Sequence, residues 1–83
     1  MRSKQFSDSF GEAVRKVRKS KGLTQEALAE KADIAPKMIS LIERFERNAS
    51  LNVAASIAKG LEMPLSKLIL ETEKFRNEKT SSK

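Results

Sequence analysis

Lys37, Ser40, Leu41 and Arg44 are spaced so that a helix would carry them on one side, with Ile39 and Ile42 turned to the other. A cation, a hydroxyl and an apolar side chain in that order suit the edges that base pairs present in the major groove of DNA. Guanine O6 and N7 accept from a lysine, a hydroxyl adapts to donor or acceptor, and a leucine packs on a thymine methyl. Lys37 is therefore the main candidate for guanine, Ser40 the adaptable contact and Leu41 the thymine contact. Pro36 has no donor and offers apolar contact only. With so few donors, selectivity must draw on DNA shape and bending as well.

Other chemistry is poorly supplied. The 83 residues contain no cysteine and no histidine, which removes disulfides, zinc fingers, thiolate nucleophiles and histidine acid–base catalysis together. The chain shows no phosphate-cradling glycine loop, no paired carboxylates in an evident pocket and no metal set, so neither an enzyme nor a bound cofactor or metal is expected. The formal charge of +6 fits a polyanionic partner, although it also serves plain solubility. The start, MRSKQFSDS, lacks the apolar stretch of a signal peptide, and no later run reaches membrane-spanning length, so a cytoplasmic protein with no membrane partner is expected.

The elements that must position the groove-facing residues lie within residues 23–44. Leu28, Ala32, Ile34, Ile39 and Ile42 fall into two short helical sets separated by Asp33-Ile34-Ala35, which predicts two helices joined by a tight corner. Thr24 can cap the first and Glu26 complements its positive end, while Pro36 suits the first turn of the second. Met38 is expected to be partly buried.

Around this pair, residues 7–21 read as a helix with Ser7 as N-cap, Phe10, Val14 and Val17 along one side, and Gly22 as a left-handed end. Its basic remainder, Arg15, Lys16, Lys19 and Lys21, is expected to be solvated rather than bound. Ser50 should cap a further helix that turns Leu51, Ala54, Ile57, Ala58 and Leu61 to the core. Ser66 should cap the last one, on which Leu65, Leu68, Ile69, Thr72 and Phe75 form a stripe. A stripe of this kind is more often core than interface, but four helices already enclose a domain of this size, so a dimer interface is expected ahead of core. The organisation expected is an arm at 1–6, one domain at 7–75 with a dimerisation helix at about 66–75, and a polar tail at 76–83.

Residues 23–44 resemble the helix-turn-helix of the Cro and phage-repressor family, also called the XRE family. The resemblance rests on Gln25, Ala29, Ile39 and Ile42-Glu43-Arg44, and continues through Arg47-Asn48, Ser50-Leu51, Leu61 and Pro64-Leu65, and back to Arg18 and Gly22. It covers most of the chain, and the ordered set is specific where each single match is not. The Lys59-Gly60-Leu61-Glu62 run is similar to some controller proteins of restriction-modification systems, which, like short phage repressors, dimerise through the last helix.

The resemblance implies an all-α, compact five-helix, lambda-repressor-like domain of bacterial or phage origin. It implies a transcriptional regulator that binds double-stranded DNA as a homodimer on a pseudo-palindromic operator, with residues 36–44 as recognition helix. It further implies phosphate contacts from Thr24, Gln25, Arg44, Arg47 and Asn48, with Gln25 also bracing the start of the recognition helix, and a structural ion pair between Arg18 and Glu43. RNA polymerase is a candidate second partner, through Glu43 or Glu46, although both acids are as easily structural.

The chain departs from the family pattern at four places. Asp33, Phe45 and Glu62 stand where glycine is common, and Pro36 stands where glutamine or arginine often reads a base. At Phe45 either the helix runs on, or a phenylalanine accepts an awkward backbone; folding back on its own core is the expected fate of the ring. The competing class is a protein-interaction module, such as an antitoxin-like or adaptor domain. Pro36 favours it and the basic segment after Arg44 opposes it, and a steep salt dependence would distinguish DNA binding from it.

Overall fold

Burial of one side of each helix holds the chain together, and the positions buried are mostly those the apolar spacing singles out. In the computed structural model, which describes residues 5–81 and the side chains of 5–77, five helices follow one another: α1 (Phe6–Ser20), α2 (Gln25–Ala32), α3 (Pro36–Glu43), α4 (Leu51–Gly60) and α5 (Leu65–Ser81). α1 lies against α5 and α3, and α2 lies against α4 and α3. One core joins them, built from Phe10, Ala13 and Val14 of α1, Leu28 and Ala29 of α2, Ile39 and Ile42 of α3, Ile57 and Ala58 of α4, Leu61, and Leu68 of α5. Met38 packs at its edge, half-buried as expected.

The helix ends explain how five helices fit so short a chain. α1, α2, α3 and α4 each stop with a backbone N–H reaching back five residues: Leu23 to Arg18 (3.1 Å), Ile34 to Ala29 (3.0 Å), Glu46 to Leu41 (2.8 Å) and Met63 to Ala58 (3.0 Å). Each bond spans a left-handed residue, Gly22 (φ 72°), Asp33 (59°), Phe45 (65°) or Glu62 (60°). This ending satisfies the last carbonyls and reverses the chain within a few residues. The helix starts at α2 and α4 are also as expected, with the Thr24 hydroxyl accepting from the Ala27 N–H at 2.9 Å and the Ser50 hydroxyl from the Val53 N–H at 3.1 Å.

Several expectations are corrected. Ser7 is not a cap: Gln5 is the extended residue before α1, its carbonyl accepting from the Asp8 N–H (3.0 Å), and Ser7 lies in the first turn. Ser66 is likewise inside α5, which begins at Leu65 with the Pro64 carbonyl accepting from Lys67 (3.0 Å). A serine cap contributes only about 1 kcal/mol, and the packing of a whole helix easily overrides it. Leu51 is 79% exposed rather than in the core, because the first residue of α4 stands outside the packed side.

α5 also runs to Ser81, so most of the expected tail is helical backbone. The expected arm falls partly outside the described residues, and Phe6 belongs to α1. The α5 stripe is turned inward. Leu68 and Thr72 are fully buried within the protomer, the Thr72 hydroxyl donating to the Leu68 carbonyl at 2.9 Å, and Leu65, Ile69 and Phe75 pack half-buried beside them. Packing of α5 on α1 and the core consumes Leu68 and Thr72 within the protomer, while Leu65, Ile69 and Phe75 keep part of their surface, and Leu70 is the exposed large apolar residue among the described residues of the helix.

Candidate nucleic-acid interface

α3 begins at a proline whose missing N–H would have had no helical partner, and ends in the left-handed turn at Phe45. Its inner side is sealed, with Ile39 0% and Ile42 1% exposed. Behind its last turn sits a charged clamp. Arg18 Nε donates to Glu43 Oε2 at 2.7 Å and Nη2 to Oε1 at 3.0 Å, while Nη1 donates to the Leu23 carbonyl at 2.8 Å. Gln25 Nε2 adds a bond to Glu43 Oε1 at 3.1 Å. Both charged side chains are nearly inaccessible, so the bidentate fork joins α1, the α1–α2 turn, the start of α2 and the end of α3 in a dry setting.

The hydrogen bonds to Glu43 raise the Arg18 guanidinium above its ordinary range, against an opposing effect of burial and with help from the charge of Glu43. A cation whose pKa is raised on folding contributes stability that is complete below its unfolded value and is lost only as pH rises past the folded one. For an arginine that window is strongly alkaline, so protonation of Arg18 supplies no switch near neutrality.

The outer side carries the expected set. Pro36 and Lys37 are exposed, and Ser40 and Leu41 are half-exposed beside them. Arg44, Arg47 and Asn48 follow on the exposed turn, with Arg44 Nη2 3.3 Å from Glu46 Oε1. Thr24 is exposed at the α2 start; its oxygen accepts from Ala27, and its own hydroxyl hydrogen remains available to a phosphate. Gln25 braces the end of α3 rather than its start, through Glu43, and keeps a second amide hydrogen. Glu43 cannot meet RNA polymerase, because Arg18 and Gln25 enclose its carboxylate. Glu46 alone of that pair is exposed.

Sequence reasoning missed Gly11. A Cβ there would run into the Ile42 carbonyl oxygen and lie 3.2 Å from Phe45 Cδ1, so α1 can meet the end of α3 only through a bare backbone. The one available signal was a glycine inside a helical pattern, which often marks close packing. Phe45 takes the awkward-backbone course, and its ring folds over Gly11 only in part, remaining 48% exposed. Beside it a groove of about 460 Å³ is lined by Glu12, Arg15, Lys16, Lys19 and Phe75, with Lys16 Nζ 5.5 Å from the centre of the Phe75 ring. Among the described residues no group of three or more histidines, cysteines or acids could hold a metal, and no helix is long and apolar enough to cross a membrane.

Two short helices at a tight corner, the second clamped from behind and bearing a cation in front, define a helix-turn-helix DNA-binding domain. The helix-turn-helix family model matches residues 14–68, and the chain belongs to this XRE-type family of transcriptional regulators. It is 39% identical over 66 residues to the control protein C.MunI of Mycoplasma sp., covering 78% of this chain and 89% of that one. It is 32% identical over 70 residues to the immunity repressor of Bacillus phage phi105, covering 84% of this chain but spanning only 49% of the repressor. Among solved structures, the restriction-modification controller C.Esp1396I, crystallised as a tetramer with its natural 35-base-pair operator, superposes with a TM-score of 0.84 at 31% identity, covering 90% of this chain and 99% of the controller.

Proposed function

We propose that this protein regulates transcription from the cytoplasm by binding a pseudo-palindromic operator as a homodimer, with α3 in the major groove. The observation that carries the reading is the outward set on α3, exposed Lys37 with half-exposed Ser40 and Leu41, held on a helix clamped by Arg18 and Gln25 through Glu43. A base-reading helix must hold its side chains still relative to the phosphate contacts, and a buried clamp at its end serves that purpose. Lys37 donates to a guanine edge, Leu41 packs on a thymine methyl, Ser40 adapts and Pro36 adds apolar contact. Thr24, Gln25, Arg44, Arg47 and Asn48 contact phosphates and set the register.

A second copy covers the apolar groove of about 370 Å³ lined by Phe6, Phe10, Leu51, Ala54 and Ile69, with exposed Leu51 at its rim. The support for self-association is this uncovered apolar surface, together with the tetrameric state of the C.Esp1396I controller on its operator. A two-fold dimer places two α3 helices in successive major grooves, about 34 Å apart. Repression then follows from occupying a promoter, while activation would require a contact with RNA polymerase, for which Glu46 is an exposed acid on the turn after α3.

Selection of bound duplexes from a random library, run with the wild type and with Lys37→Ala, tests the reading. The expected result is a palindrome that loses information at one base pair per half-site in the variant. Sequence-indifferent binding by the wild type would overturn it.

A further inference from the structure

We infer that Phe45 is a positioning residue: its ring, packed against the bare backbone of Gly11, sets the direction in which the chain leaves α3 and so aims Arg47 at the DNA backbone. The inference rests on the reading of α3 and its following turn as the DNA-contacting segment. The first observation is strain. Of the four left-handed residues that end helices, Gly22, Asp33 and Glu62 are a glycine or unbranched acids, whereas Phe45 holds an aromatic ring at φ 65°. Bulky residues rarely occupy that region, and they persist there only where the surroundings impose it.

The second observation identifies what imposes it. A Gly11 Cβ would run into the Ile42 carbonyl oxygen and crowd Phe45 Cδ1 at 3.2 Å, so the glycine of α1, the end of α3 and the Phe45 ring belong to one contact. The ring gains too little from burial to be a core residue, since 48% of Phe45 stays exposed and it is not among the residues packed on the core. The third observation is location. Exposed Arg44 is held by the end of α3, whereas exposed Arg47 follows Phe45, and the torsions of this one residue direct the backbone that leads to it. A glycine here would form the same ending without strain, but with nothing to hold the turn against α1.

Phe45→Gly, Phe45→Leu and Phe45→Tyr in the full chain test this. Each is assayed for thermal midpoint and for binding, across a salt series, to the selected duplex and to a random-sequence duplex. Phe45→Gly is expected to keep its thermal midpoint, because relief of strain offsets lost packing. It should bind the selected duplex about tenfold more weakly, with a salt slope flatter by about one phosphate contact on both duplexes. Phe45→Tyr should restore both and Phe45→Leu neither in full. Wild-type affinity and slope in Phe45→Gly would overturn the inference, as would losses that merely track thermal stability across the three variants. A wild type that binds both duplexes equally, while Phe45→Gly still flattens the slope, would overturn the operator reading and leave the positioning role standing.

Discussion

Behind α3, Ile39 and Ile42 are sealed from solvent and Glu43 is gripped by Arg18 and Gln25; in front, Lys37 and Arg44 stand in water and Ser40 and Leu41 are half covered. The two sides belong to one eight-residue helix, yet they answer to different constraints. A buried carboxylate must be paired where it sits, since an unpaired charge in a dry site is heavily penalised. An exposed lysine is tolerated by almost any fold, so its identity is open to selection for a base edge. Stability should therefore be lost from behind, and recognition from in front.

The largest effect should come from behind. Arg18→Ala or Glu43→Ala strands the partner charge, and each is expected to destabilise by about 3–5 kcal/mol in denaturant unfolding. Unchanged stability in both variants would break the comparison at its root. In front, Lys37→Ala should leave the unfolding midpoint where it is and remove about 1–3 kcal/mol of discrimination at one base pair per half-site, measured by competition between matched and mismatched duplexes. A fall in thermal stability with no change in selectivity would reverse the roles of the two sides.

Gly22→Ala sharpens the contrast between helix endings. Nothing lies within 4 Å of the added Cβ, so the cost is that of the left-handed backbone alone, about 1–2 kcal/mol by chemical denaturation. The smallest effect on folding should be that of Leu51→Ser, which removes an exposed apolar residue and is expected to shift stability by less than about 0.5 kcal/mol. Sedimentation should nevertheless show a weaker dimer, and a dimer of unchanged strength would place the self-contact elsewhere.

Much of this was legible before any coordinates. The two short helices of the motif, the Thr24 cap of the first and the Pro36 start of the second, and the inward isoleucines followed from spacing and helix-end chemistry, because adjacent residues supply those signals. The likeness of the ordered residues to the XRE family pointed further, to the Arg18–Glu43 pair, whose members stand 25 positions apart. The left-handed end at Gly22 was legible, and Asp33 and Glu62 were marked as departures from glycine, whereas Phe45 left two courses open, since local chemistry opposes a ring at positive φ and the neighbours that meet it there are distant in sequence. The errors at Ser7 and Ser66 came from treating a weak local preference as decisive when the neighbouring turn could serve as well.

The stripe on α5 marks the boundary between the two kinds of knowledge. Periodicity said that Leu65, Leu68, Ile69, Thr72 and Phe75 share a side, and they do; it could not say whether that side meets another copy or this one. Sequence alone determined the helix-turn-helix, its family and the outward residues of α3, because each depends on neighbours within a few turns. Only the tertiary structure decided that α5 spends Leu68 and Thr72 on α1 and the core, that Gln25 joins the clamp at the far end of α3, and that Gly11 makes room for Phe45. Those facts depend on which distant surfaces fill one another, and close packing is settled by shape across the whole fold rather than by residue type at any one position.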